Sequence, residues 1–203
     1  MNVESLNEEN TAEVVDVFCE AFYDYPVMRY VLREKDDYDS RLRKLVGFFV
    51  ANRAFRKEPM IGIYNSENRL VAAAIVTLPE DIPQPEELVK RREILWTELG
   101  SDEQIRYEAY GKTASALLPE EPHHHLNMIG VRPAYKGQGM ARQLITAVEE
   151  LVSSHPTSSG LSLNTEVESN VNFYLHLGYE LVCNKYFDNN FETWGFFKSK
   201  GKH

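Results

Sequence analysis

One stretch of the chain has the residue types and spacing to hold phosphate. Val131-Arg132-Pro133-Ala134-Tyr135-Lys136-Gly137-Gln138-Gly139-Met140-Ala141 carries a strand end through two glycines into a helix. The first N–H groups of a helix have no partner within it, and the helix dipole places positive charge at that end, so such a junction attracts anions. The glycines let backbone approach a phosphate closely, and small Ala141 leaves room at the helix entrance. On this pattern alone, a close turn packed against a sheet is an equal reading. The segment contains no G-x-x-x-x-G-K-[ST] and its spacing is not G-x-G-x-x-G, so neither a Walker loop nor a Rossmann loop fits. Groups able to move protons flank it: His123, His124 and His125 before the loop, Glu166 and Glu168 after it. In a strand His123 and His125 point to one side and His124 to the other, so the three cannot converge on one ion and no metal is expected. The two glutamates, just beyond a strand end, read first as solvated loop charges.

Hydrophobic spacing indicates which elements must position these groups. Val14, Val17, Phe18, Ala21 and Phe22 recur at helical intervals behind Asn10 or Thr11 as a cap, with Glu13 in the first turn, and Pro26 is expected to close or kink that helix. Leu42, Leu45, Val46, Phe49 and Val50 predict a second helix over 38–55. Residues 60–64 and 70–78 read as strands joined by the polar turn 65–68. Pro79, Pro83 and Pro85 then end the strand, and 86–116 is helix-compatible with interruptions expected at Gly100 and Gly111. A strand over 124–131 leads into the loop. The helix over 140–153 places Ala141, Leu144, Ile145, Val148, Leu151 and Val152 on one face. A strand at 161–164, a short helix at 169–177 stopped by Gly178, and closing strands at 179–186 and 193–198 complete the chain. The order α-α-β-β-α-β-α-β-α-β-β, with room for a short strand ahead of the first helix, predicts a single α/β domain over 1–203 with a mixed sheet. No repeat or linker divides it.

The loop and a second segment together resemble the GNAT superfamily of N-acetyltransferases. Residues 136–141 fit the acetyl-CoA loop [RQ]-x-x-G-x-[GA] except at the first position, where Lys136 keeps a donor but not a planar one. Asn170-Val171-Asn172-Phe173-Tyr174-Leu175-His176-Leu177-Gly178-Tyr179 is similar to N-x-x-[FY]-Y-x-x-x-G-[FY]. The run 21–32 and Pro122-His123 resemble the branch that includes puromycin N-acetyltransferase, so the likeness spans nearly the whole chain. It implies a GNAT-like twisted mixed sheet flanked by helices and splayed between two central parallel strands, 124–131 and 161–164, with acetyl-CoA as co-substrate in the gap. It further implies that the backbone of Ile129, Gly130 and Val131 pairs with the pantetheine arm. The amides of Gly137, Gln138, Gly139, Met140, Ala141 and Arg142, beside Lys136, would take the pyrophosphate, and Asn170, Phe173 and Tyr174 would complete the cofactor side.

By the same resemblance Tyr174 protonates the departing thiolate, because a phenol of pKa about 10 facing a thiol of about 8.5 can donate in a shared hydrogen bond. Without the motif, Phe173, Tyr174 and Leu177 have the spacing of core residues. No base carries over. The puromycin-like branch commonly has Glu where this chain has Asn164, which cannot act as one, so the chain either uses another group, such as a water chain ending at Glu166, or has a different acceptor. Tyr23, Tyr25, Tyr30, His125, Asn164 and Glu166 are the candidate acceptor-binding residues, with the variable region 79–122 as a further wall. The reaction implied is direct acetyl transfer to the amine of a small molecule in a ternary complex. A non-catalytic acyl-CoA-binding or regulatory module, and acetylation of protein amino termini or lysines, remain open readings.

Composition narrows the partners. The formal net charge of −9 and the lack of a basic patch remove the electrostatic basis for nucleic-acid binding and suit a protonated amine. Residues 1–10 are polar and acidic, predicting no secretory segment, and no apolar run approaches the roughly 20 residues of a membrane span. Cys19 and Cys183 read as small buried hydrophobes of a reducing compartment, and the expectation is a cytoplasmic monomer or homodimer.

Overall fold

The computed structural model describes residues 2–80, 85–187 and 190–201, and Pro83 of the strand-ending prolines lies outside them. Strand β1 (Val3–Leu6) precedes three helices, α1 (Thr11–Ala21), α2 (Pro26–Leu32) and α3 (Tyr38–Phe55). Pro26 does not end α1. It occupies the first turn of α2, where a missing N–H costs nothing and its fixed φ suits the helix, so the same residue that breaks a helix starts one here. The hairpin β2 (Met60–Tyr64) and β3 (Leu70–Thr77) leads to α4 (Glu86–Leu99) and α5 (Ser101–Ser115). Gly100, at φ +114°, separates that pair, whereas Gly111 stays inside α5. The second expected interruption is therefore absent, since one Gly costs a helix only about 1 kcal/mol against Ala. Next come β4 (His124–Val131), α6 (Met140–Ser154), β5 (Gly160–Thr165), α7 (Ser169–His176), β6 (Glu180–Phe187) and β7 (Phe191–Ser199).

The seven strands form one sheet in the order β1-β2-β3-β4-β5-β7-β6. Helices cover both faces, which explains why β3 reads as an unbroken apolar run: Ala73 and Ile75 enter the core under α1–α3, and Ala72, Ala74 and Val76 the core under α6. The buried face of α6 is Met140, Leu144, Ile145, Val148 and Val152; Leu151, expected among them, is 37% exposed. Gly130 permits the close approach of α1 to β4, because a Cβ there would stand 2.9 Å from both Ala21 Cβ and Phe18 Cδ1. Cys19 is half-buried, but Cys183 is exposed because β6 is the sheet edge and solvent reaches it. Among the described residues no helix is long and apolar enough to cross a membrane.

The feature that positions the site is the β4–β5 seam. This is the sheet's parallel pairing, and its ladder holds only His124↔Leu161, His125↔Ser162 and Leu126↔Leu163. On the other side of β4, Ile75 pairs with Met128 and Val76 with Leu126, leaving Asn127 as an extra residue in a bulge. A bulge bends its strand and sharpens the local twist. It falls where the parallel ladder stops, so β4 follows β3 onward to Val131 while β5 diverges.

Candidate active site

A cavity of about 450 Å³ fills this wedge. Its floor is Asn127, Met128 and Ile129 of β4 facing Leu163, Asn164 and Thr165 of β5. Phe22 and Tyr25 from the α1–α2 turn, Phe49 of α3, and Tyr107 and Tyr110 of α5 supply aromatic walls. Glu166, one residue past β5, and Tyr174 of α7 line the same space.

Glu166 is not a solvated loop charge. It is 6% exposed, and three hydroxyls donate to its carboxylate: Tyr25 to Oε2 at 2.7 Å, Tyr110 to Oε1 at 2.8 Å, and Thr193 of β7 to Oε1 at 2.5 Å. The Glu166 N–H donates to the Tyr25 oxygen at 3.2 Å, which fixes that ring against the strand end. No ion pair forms at Glu166 among the described residues. Burial pushes its pKa above the usual carboxylate value, and the hydroxyls of Thr193, Tyr25 and Tyr110 pull partly back. A buried carboxylate with hydroxyl partners and no cation is equipped to take a proton or to receive a cationic ligand. Tyr25 and Tyr110, held well above the ordinary phenol value by burial and by the Glu166 charge, stay protonated as its donors.

Tyr174 is 5% exposed, packed against Tyr179 and Phe196 at ring separations of 5.9 and 5.6 Å. Its ring therefore does serve the core, as helical spacing suggests, while its hydroxyl has no hydrogen-bond partner among the described residues. Burial, then the nearby Glu166 charge, raises its pKa, so the phenol keeps its proton at neutral pH. Phe173 packs beside it at 5.3 Å, and Asn170 ties the start of α7 to β5 through Nδ2 to Thr165 Oγ1 at 3.2 Å.

On the other side of the seam lies the glycine loop. Gly137 and Gly139 both take φ +78°, and nothing lies within 4 Å of a Cβ built on either. Gly139 caps α6 without any side-chain bond to the first N–H groups, so the amides at Met140, Ala141 and Arg142 keep no capping partner among the described residues. Lys136, Gly137, Gln138 and Arg142 are exposed, and neither cation is paired among the described residues. Arg132, by contrast, is buried and structural: Nε donates to Leu70 O at 2.8 Å and the guanidinium pairs with Glu20. Open glycine backbone, unpaired helix amides and two free cations fit the pyrophosphate of acetyl-CoA, and the unladdered edge of Ile129, Gly130 and Val131 fits its amide-bearing arm.

The structure brings together only part of the expected acceptor wall. Tyr25, His125, Asn164 and Glu166 line the cavity. Tyr30 is buried against Phe187 and Phe191 instead, and Tyr23 lies in a separate groove beside Asp39, meeting Tyr38 edge-on. Asn164 donates from Nδ2 to Ala114 O at 3.2 Å, holding the end of α5, and its Oδ1 is buried without a partner among the described residues. His125 shares a hydrogen bond with Ser162 Oγ at 2.8 Å, and burial pushes its pKa down to about 3. His124, on the opposite face, bonds Ser158 Oγ and is pushed down to about 4 by burial. Both rings stay neutral, leaving Glu166 as the stronger base in the cavity. Sequence reasoning missed Tyr107, Tyr110 and Thr193; only the i, i+3 spacing of the two tyrosines on an insertion helix hints at a shared face.

The sheet thus splits at a parallel seam, with an open glycine loop on one side and a buried carboxyl and phenol, Glu166 and Tyr174, on the other. The pattern described as Acetyltransferase (GNAT) domain matches residues 83–196. The chain belongs to that family of N-acetyltransferases, which use acetyl-CoA. Among curated proteins none matches the sequence. Among solved structures, a "histone acetyltransferase HPA2 and related acetyltransferase" from Corynebacterium glutamicum is similar at TM-score 0.75 and 17% identity, covering 100% of this chain and 97% of its own. Arylalkylamine N-acetyltransferase 2 from Aedes aegypti is similar at TM-score 0.63 and 13% identity, covering 97% and 96%. The ribosomal-protein-S18-alanine N-acetyltransferase from Escherichia coli is similar at 0.58 and 12%, covering 100% and 95%. At these identities the likeness shows the fold.

Proposed function

We propose that this chain, as a single domain, moves an acetyl group from acetyl-CoA to the amine of a small molecule by direct attack in a ternary complex. The observation that carries the reading is the placement of Glu166 and Tyr174 in one cavity at the opened seam. The run 21–32, which supplies Tyr25 to that cavity, supports a place near the puromycin N-acetyltransferase-like branch.

Acetyl-CoA supplies the acetyl group as a thioester. Gly137 through Arg142 hold the pyrophosphate on backbone amides, and the free edge of β4 orients the arm toward the cavity. Glu166 takes one proton from the entering ammonium, directly or through the Tyr110 hydroxyl that bonds it, and passes it to solvent. The freed nitrogen lone pair forms the C–N bond and the C–S bond breaks. Tyr174 gives its proton to the departing sulfur and is restored by the second proton that nitrogen loses, so the products are an amide, a thiol and one released proton. Glu166 weighs against a non-catalytic module, because it offers a base in the cavity where Asn164 cannot.

The roles are tested by initial-velocity kinetics on the wild type and Tyr174→Phe, following thiol release while both substrates are varied. Intersecting lines, with kcat reduced in the variant and acetyl-CoA affinity kept, support the scheme. Parallel lines, or an unaffected Tyr174→Phe enzyme, overturn it.

A further inference from the structure

Resting on the acetyltransferase reading, we propose that the acceptor is a primary monoamine carried on a flat aromatic body whose far end is uncharged or anionic. The cavity has a direction. Helix α5 runs along it and presents Tyr110 and Tyr107 one turn apart, about 4.5 Å along the axis. Tyr110 touches the Glu166 carboxylate, whose charge no cation neutralises among the described residues. Tyr107 stands in the field of Arg53 and Arg92, which line the same cavity. One end is therefore anionic and the other cationic.

The cationic end carries more charge than its partner offsets. Glu58, fully buried, is shared by Arg53 at 2.8 Å and Arg56 at 3.0 Å, and Arg53 also donates to Asn127 Oδ1 at 2.8 Å. Arg92 has no ion-pair or hydrogen-bond partner among the described residues. An ammonium group satisfies Glu166; a second cation one turn away meets two guanidinium groups and is repelled. Between the ends the walls are aromatic: Phe49 lies 5.5 Å from Tyr107 at 31°, and Phe22 meets Tyr25 edge-on at 5.0 Å, while Trp96 backs Tyr107 from outside the cavity at 5.3 Å. Such walls receive another ring in stacked or edge-to-face geometry, and the ammonium gains from the neighbouring π faces. A flexible polyamine or an aminoglycoside would bring several charges and hydroxyls to a surface that offers them rings.

The test measures kcat/KM by thiol release for four amines: 2-phenylethylamine, 4-(2-aminoethyl)benzoate, 1,4-bis(2-aminoethyl)benzene and spermidine. Arg92→Glu, a substitution at an exposed position, is measured alongside. The expected result is that each of the first two amines exceeds each of the last two by about tenfold or more, corresponding to about 1.4 kcal/mol. In Arg92→Glu the ratio of diamine to phenylethylamine rises. Preference for spermidine or the diamine in the wild type, or a ratio that Arg92→Glu does not move, overturns the proposal while leaving acetyl transfer standing. No thiol release with any of the four, in a protein that binds acetyl-CoA, overturns the acetyltransferase reading and this inference with it.

Discussion

Glu166→Gln changes one thing in the cavity: it removes a negative charge and keeps the forked shape. The three hydroxyls that donate to Glu166 can rotate, so the Gln carbonyl accepts from one or two of them and its amide donates to another. Packing therefore survives and the proton acceptor is lost. General-base catalysis contributes about 10²–10⁴-fold, so kcat/KM at neutral pH falls by that factor, equivalent to about 2.7–5.4 kcal/mol of barrier. In the wild type, the acid limb of the kcat/KM profile lies above the ordinary carboxylate range, because burial holds Glu166 high despite donation by Thr193, Tyr25 and Tyr110. The variant lacks that limb, and its deficit shrinks as rising pH populates the neutral amine. Stability moves the other way. A carboxylate whose folded pKa is raised contributes stability that is complete below its unfolded pKa and is lost as pH rises through the folded value, so at neutral pH the buried charge is a liability. Glu166→Gln is thus expected to melt at the same or a higher temperature at pH 7. The assays are thiol release across pH and a thermal melt. A variant with wild-type kcat/KM at every pH refutes the assignment of the base, and a clearly lower Tm at pH 7 refutes the argument from charge burial.

Four further outcomes follow from the geometry. Tyr174→Phe keeps the packing against Tyr179 and Phe196 and loses the free hydroxyl, so kcat falls about 10²–10⁴-fold while acetyl-CoA affinity, read by calorimetry, is retained. Gly130→Val drives a side chain into Ala21 and Phe18, 2.9 Å from its first atom, and costs about 1–3 kcal/mol, seen as a drop in Tm of roughly 2–4 °C per kcal/mol. Gly139→Val meets open space but a φ of +78°, so strain of about 1–3 kcal/mol reorients the amides at the α6 entrance and raises the KM for acetyl-CoA with little change in the KM for the amine. Thiol labelling of the folded protein at pH 8 is fast at exposed Cys183 and slow at Cys19, whose pKa burial pushes up to about 11.

What the sequence revealed and what it hid have separate physical causes. The β4 strand, the glycine loop and α6 were legible because they depend on local rules: alternation, φ freedom at Gly137 and Gly139, and helical spacing from Met140 onward. Helix α2 was hidden because Pro26 is both a terminator and a good first residue, and the choice is made by packing of Val27, Met28, Tyr30 and Val31. Glu166 sits in Thr-Glu-Val-Glu, a polar context that suggests solvent. Its burial comes from Tyr25, Tyr110 and Thr193, which lie 141, 56 and 27 residues away. Among the tyrosines at 23, 25 and 30 the α1–α2 turn decides which faces the cavity, and it selects Tyr25. Exposure of Cys183 follows from the strand order, since an apolar-looking strand at the sheet edge is covered by nothing among the described residues.

The central claim is that the seam between β4 and β5 brings an amine to an acetyl thioester and transfers the acetyl group without a stop on the protein. Incubating the chain with isotopically labelled acetyl-CoA, with and without 2-phenylethylamine, and weighing both protein and amine by mass spectrometry tests it most directly. The account predicts label on the amine nitrogen and a protein mass unchanged in either incubation. Label held on the protein before amine is added, or acetyl-CoA bound and recovered intact in the presence of amine, would contradict it.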